Sequence, residues 1–541
     1  MKKILSIAVA SAFLLTSCSD FLDESLKKEL APSNTYTSTH GFEVGVTGLY
    51  EYARSEWNTW GTKDDGNSFA HSSGCPYESL QIGTDIAVTG HNDGTLKVFD
   101  NLSYTPLTVF IKSFWNFGYG LISSSNLILA YSETNTNWDA PTDKIGFQAE
   151  ARFFRAYGYR YLVYLYGDVP YVDKVQDKFR IDFTRTPKAE VLQKMIEDLE
   201  FAAKNLPEDP DKVMVGRLTS WAAKHLLSEV YLMAGQPDKA ETVAEEVINS
   251  GKFSLMNERF GKQKDKPGDA FADLFKENNQ NRTAGNTESI WVMQLEYKVI
   301  GGGAESEDWT KRAWVPKYWD VKGDGGFVIA DSLGGRGLAQ LIPLQWWVNS
   351  KEFYDKEDIR NSEYNIKRNW YYNDAKKPNF GKKIELTEEL WKAGLLCPAI
   401  TKFFYGKIED GADEGYGGNT KDRMKFRLAE TYLLLAEARM QQGDLDGAAD
   451  AINEVRERAH AKPITAAEVT VDFLLDERIR EMVGEEIRRF TLSRLGQLKE
   501  RTLRYNSRAP MEDKHLLWPI PQDVINSNTG AEFPQNPGWE Q

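Results

Sequence analysis

Six of the chain's 15 tryptophans fall between Trp309 and Trp370, within 62 residues. Indole rings offer flat apolar faces, and sugars present C–H faces bordered by hydroxyls. A carbohydrate site therefore needs such rings with carboxylate, amide or guanidinium groups at their rim. Two stretches supply both. The first, 57–105, offers Trp57, Trp60, Asp64, Asp65 and Asn67. The second offers Trp309, Trp314, Tyr318 and Trp319, with Arg368, Trp370, Tyr371 and Tyr372 as a further wall. For each of these rings the competing role is local packing. Trp346 and Trp347 follow Pro343 in an expected helix and read as core.

Signatures of covalent chemistry are missing. The sequence has no GxSxG, no GxxxxGK[ST], no HExxH and no CxxC, and its six histidines are scattered without ligand spacing. Asp320, Asp324, Gly325 and Asp331 half-copy a calcium loop, but Lys322 stands where an oxygen ligand belongs. No metal, cofactor or catalytic residue is therefore expected. Carboxylates are plentiful, so a glycosidase pair on opposed walls stays open as an alternative.

The elements that must hold these residues are helical. Helices are expected at 39–56 and 106–133, and at a run containing Phe153, Phe154, Tyr157, Tyr161 and Tyr164. The spacing of those five gives an aromatic core face, and Gly167 and Pro170 end the run. Another helix spans 187–205. HLLSEVYLMAGQPDKAETVAEEVI is echoed within YLLLAEARMQQGDLDGAADAINEV, where an offset of 208 matches Leu226, Glu229, Gly235 and Ala240 to Leu434, Glu437, Gly443 and Ala448. Each copy reads as helix, glycine turn, helix, the tetratricopeptide pattern. Between them, 255–420 is irregular, with nine glycines in the 37 residues from Gly301 to Gly337. LLDERIREMVGEEIRRFTLSRLGQL reads as a last long helix, with Glu481, Glu485, Arg488 and Arg489 as surface or interhelix pairs. The expected fold is mainly α, a tetratricopeptide-like scaffold with a large loop-rich region and few short strands.

The N-terminus sets the compartment. Lys2 and Lys3 precede the apolar run Ile4–Leu15, which is too short to span a bilayer and has signal-peptide layout. Leu15-Thr16-Ser17-Cys18 resembles a lipobox, which makes Cys18 the lipidated first residue of the mature chain. The mature chain carries a net charge of −16 once Lys2 and Lys3 are lost. That balance is a poor match for nucleic acid. Cys75 and Cys397 remain, and are expected to be free rather than paired.

These pieces together resemble the SusD/RagB family of nutrient-binding lipoproteins of Bacteroidetes. The resemblance rests on CSDFLDE, AEARFFRAYGYRYLVYLYGDVPYV, GRLTSWAAKHLLSEVYLMAGQPDKA, GRGLAQLIPLQWW, YLLLAEARMQQGD, DERIREMVGEEIRRFTLSRLG and LLWPIPQDVINSN, in that order. It implies one body: a signal peptide at 1–17, a lipid-anchored tether at 18–38, an N-terminal helical region at 39–255 with a ligand loop at 57–105, an irregular insertion at 256–420 and a C-terminal helical region at 421–541. It also implies a non-enzymatic, outer-membrane, cell-surface protein that binds oligosaccharide for a SusC-like TonB-dependent transporter. Peptide cargo in the same role, a surface glycosidase and a ligand-free scaffold are the alternatives.

Overall fold

A computed structural model of the chain describes residues 32–540, apart from 58–75, 91–93, 136, 177, 297–298, 300–301, 303–309, 324 and 406–418. The fold is mainly α, with few and short strands. The longer helices are α1 (Thr39–Arg54), α2 (Val109–Thr134), α3 (Asp143–Tyr166), α4 (Lys188–Asn205), α5 (Ser220–Met233), α6 (Pro237–Ile248), α7 (Leu428–Gln442), α8 (Leu445–Arg458) and α9 (Val471–Met482). Two shorter ones follow, α10 (Arg488–Arg494) and α11 (Leu498–Tyr505). Among the described residues no helix is long and apolar enough to cross a membrane.

Helices α2 to α8 form one continuous stack, each packed on the next. The stack starts with an unusually close approach. A methyl on Gly118 of α2 would lie 2.6 Å from Leu162, and one on Gly158 of α3 would lie 2.7 Å from the Gly118 carbonyl. Only paired glycines let the two backbones meet there. Helix α3 is then buried almost all round, the five residues of its expected aromatic face included. Gly167, at φ 72°, terminates it.

The two tetratricopeptide copies are α5–α6 and α7–α8, and they adjoin although 179 residues separate α6 from α7. Ala240 and Ala448 are fully buried where their helices cross, as the small side chain requires. Arg439 of α7 reaches Glu241 (2.9 Å) and Glu245 (2.5 Å) of α6. The insertion between them leaves and returns through a two-stranded antiparallel stem. In it β1 (Ser289–Met293) pairs with β2 (Arg423–Arg427), and β2 runs straight into α7. Trp291 joins this stem to α3 through Phe153 and Tyr157, at ring-centroid distances of 5.5 and 5.8 Å.

Three sequence expectations need correction. The last helical run is broken, because Gly484 adopts φ 82° between α9 and α10 and a methyl there would lie 2.4 Å from the Phe403 ring. The 57–105 stretch is not all excursion. Residues 77–90 run through the core, where Asp85 is fully buried and accepts Arg488 (2.7 Å) and Arg501 (2.8 Å), and Gly94–Asp100 is helical. The last residues of the span expected as tether, 18–38, belong to the folded body, since Tyr36 packs on Phe42 and Tyr131.

Candidate functional site

The runs 58–75, 303–309 and 406–418 begin and end on described residues that meet around the start of β2. Glu56 accepts a 2.7 Å bond from Lys425, and the Tyr77 hydroxyl donates to the Gly484 carbonyl. Arg54 donates to the Gln294 carbonyl (2.8 Å), and Asp422 accepts the Leu295 N–H (2.8 Å). Arg423 donates to the Thr310 hydroxyl at 3.1 Å, and Tyr405 bonds Thr420 at 2.5 Å. Strand alternation produces this arrangement. In RMKFR, Met424 and Phe426 turn inward while Arg423 and Lys425 turn to the stems.

Lys421 stitches the same spot. Its ammonium donates to the carbonyls of Phe275 (2.8 Å), Lys402 (2.7 Å) and Phe404 (3.1 Å). Burial, with Lys276 nearby, pushes its pKa down to about 7. Burial also brings Lys402 down to about 8, although Glu485 partly offsets it.

Helix α9 holds these roots to the scaffold. Glu481 accepts Arg427 (2.5 Å), Arg360 (3.1 Å) and Arg458. Glu477 accepts Arg360 (2.7 Å), Arg456 (2.8 Å) and Arg480 (2.9 Å). Just beyond the end of α9, Glu485 accepts Arg427 (2.7 Å) and Lys402 (2.5 Å). The insertion, the stem and the stack are thus tied to one helix. Burial alone would raise the Glu477 carboxyl, but Arg360, Arg480 and Arg456 outweigh it and hold it down at about 2. Glu481, read from sequence as a surface or interhelix charge, is fully buried, as is Arg488. Arg489 is nearly so, and donates to the His515 carbonyl.

The structure sorts the sequence-chosen ligand residues. Trp314 is 0% exposed and stacks on Phe403. Trp370 is also 0% exposed, stacks on Tyr318 at 5.5 Å and donates to the Cys397 carbonyl. Neither offers a face to a ligand; for Trp370, the two-residue period of the Trp370–Tyr371 strand turns the indole inward and Tyr371 outward, at 48% exposure. Tyr318 is buried as well, with its hydroxyl on Gly335 (2.7 Å). Arg368 is structural: it donates to the Val348 carbonyl (2.8 Å) and to the Asn361 carbonyl (3.1 Å) and side chain (2.7 Å). Tyr372 packs on Phe327 at 5.2 Å.

Trp319 is different. It is half-buried, its N–H is held by the Gly337 carbonyl (2.9 Å), and Lys317 and Arg336 stand 5.0 and 5.5 Å from its ring centroid. The side chain of Trp57 and all of Trp60, Asp64, Asp65, Asn67 and Trp309 lie outside the described residues, as do Cys18 and Cys75. Cys397 is buried. Of the core pair, Trp347 is fully buried, whereas Trp346 is half-buried against Tyr505 at 3.9 Å.

Two arrangements with catalytic or metal-binding residue types prove structural. His225 reaches Thr431 (2.9 Å) and Glu430 (3.3 Å), but Thr431 is fully buried and closed to a substrate. Asp320 is taken by Lys317 (2.8 Å) and Lys322 (2.5 Å). Among the described residues no group of three His, Cys, Asp or Glu side chains gathers as metal ligands would.

A model of the SusD family matches residues 287–539, and a SusD-like model described as starch-binding associating with outer membrane matches residues 20–232. The chain belongs to the SusD/RagB family. SusD-like protein P25 of Formosa agariphila is 25% identical over 551 residues, covering 95% of each chain. The starch-binding protein SusD of Bacteroides thetaiotaomicron is 26% identical over 465 residues, covering 77% of each. The solved structure of surface glycan-binding protein A from Bacteroides thetaiotaomicron, in complex with laminarihexaose, aligns with a TM-score of 0.69 at 19% identity. It covers 92% of this chain and 98% of that one, a likeness of fold.

Proposed function

We propose that this SusD-family chain is a lipid-anchored, surface-facing glycan-binding protein of the outer membrane. It captures an oligosaccharide without cleaving it and passes it to a partner SusC-like TonB-dependent transporter. The observation that carries this reading is the match to SusD-like relatives, over 95% of the chain for one and over 77% for the one named as starch-binding. Outer-membrane association is supported by the description of the model that matches the N-terminal half.

With Trp314 and Trp370 in the core, the proposed ligand set contracts to Trp319 together with Trp57, Trp60, Asp64, Asp65, Asn67 and Trp309. A few stacked rings at about 0.5–1.5 kcal/mol each, plus net hydrogen bonds of about 1 kcal/mol, give micromolar-to-millimolar affinity. Weak capture suits cargo that must be released. The test is isothermal titration of the mature chain against starch-type and laminarin-type oligosaccharides. Saturable heat with unchanged reducing ends is expected, and silence across the panel overturns the reading.

A further inference from the structure

We infer that the cleft between α8, the start of α7 and residues 253–257 is a second sugar-binding site, built from the repeat helices. The cleft measures about 570 Å³, within the range of small-molecule sites. Its floor is apolar: Phe253 and Leu428 are buried there, Leu255 is half-buried, and the Tyr432 ring lies among them. Its rim is polar. Glu454 and Glu457 stand about one turn apart on α8, so their carboxylates share a face. His460 follows just past the end of that helix at φ 58°, a conformation glycine adopts more cheaply, and Asn257 completes the rim.

These groups are uncommitted. The side chains of Tyr432, Glu454, Glu457, His460 and Asn257 make no hydrogen bond or ion pair among the described residues. Ser254 is the exception, its hydroxyl bonded to that of Thr287 (2.7 Å). Arg458, only 2% exposed, gives two nitrogens to Glu288 (2.8 Å) and Glu481, while its Nε is buried without an acceptor. That leftover donor asks for an oxygen partner.

The mixture selects among ligands. Two carboxylates repel an anion. Among the described residues no three His, Cys, Asp or Glu side chains gather as metal ligands would, so a metal ion finds no shell. A lone ammonium would engage the carboxylates but leave the apolar floor and the Asn257 amide unused. A sugar uses all of them: some hydroxyls donate to the carboxylates, other oxygens accept from Asn257, and a C–H face covers Tyr432 and the leucines. None of these residues belongs to the set proposed for glycan capture, so the two sites stand or fall separately.

The experiment is photo-crosslinking of the mature chain. Maltohexaose and laminarihexaose, each carrying a diazirine at the reducing end, are irradiated with the protein below saturation, and labelled peptides are mapped by mass spectrometry. Label on 253–257 or 454–460, removed by excess unlabelled sugar, is expected. It should fall about tenfold in the double variant Glu454→Gln, Glu457→Gln and roughly fivefold in Tyr432→Ala. Both glutamates are exposed, so the double variant's result stands alone if Tyr432→Ala misfolds. Equal labelling of all variants, or label displaced by tri-lysine and not by sugar, overturns the proposal. Label confined to the insertion overturns this second site and leaves the capture reading intact. Label here alone does the reverse, and no label anywhere overturns both.

Discussion

Helix α9 and the 310–372 segment are built from residue types with opposite expectations. Charged side chains belong in water and clustered indoles suggest a sugar platform, yet Glu477 and Glu481 are as inaccessible as Trp314 and Trp370. The difference lies in what each buried group is given. The carboxylates receive guanidiniums from three separate parts of the chain, so their desolvation is compensated while those parts are held in register. Trp370 closes the small core of the insertion, and Trp314 joins the main core. Trp319, at the edge of that small core, keeps part of its ring open. Burial here follows available partners more than residue type.

The sharpest way to break this contrast is to remove one carboxylate. Glu481→Ala leaves Arg360, Arg427 and Arg458 converging without a counter-charge, and a loss of about 3–5 kcal/mol in urea unfolding is expected. If Glu481 were a surface charge, the loss would stay within about 0.5 kcal/mol. Trp370→Ala should cost about 3–5 kcal/mol of stability through the cavity it leaves, while glycan affinity of the folded protein is unchanged.

Acid titration probes the charged side of the comparison. The Glu477 pKa lies near 2 in the fold against an ordinary 4.5, so its stabilising contribution is complete above about pH 4.5 and is lost as pH falls through 4.5 towards 2. A stability profile that stays flat down to pH 3 would contradict this. Gly484→Ala should cost about 1–3 kcal/mol, because alanine is strained at φ 82° and faces the Phe403 ring. The smallest effect belongs to Trp319→Ala, with a loss of about 0.5–1.5 kcal/mol in glycan binding at nearly unchanged stability. A null result there would remove Trp319 from the ligand set.

The helical scaffold was legible because its signals are local. Repeat spacing around Gly235 and Gly443, and the aromatic period of α3, need no knowledge of distant residues. The stem was less so: the alternation of RMKFR was present, but its five residues lie in sequence between an irregular segment and a helix. The candidate site was read poorly for a physical reason. Whether an indole faces solvent depends on what packs against it, and Trp370 is covered by Tyr318, 52 residues away. Of the two roles expected for Glu481, the interhelix one fits its pair with Arg458 of α8, but its other partners, Arg360 and Arg427, come from the insertion and the stem, which helical spacing does not reveal.

Interposing β1, the insertion and β2 between α6 and α7 has a consequence for biogenesis. When synthesis has reached residue 427, α6 still shows an open flank bearing Ala244, which only α7 and α8 can cover. The first half is therefore an unfinished solenoid with no terminal cap, and its cooperative transition waits for the last quarter of the polypeptide. A nonsense mutation anywhere before α8 should yield an aggregation-prone fragment, not a smaller working protein.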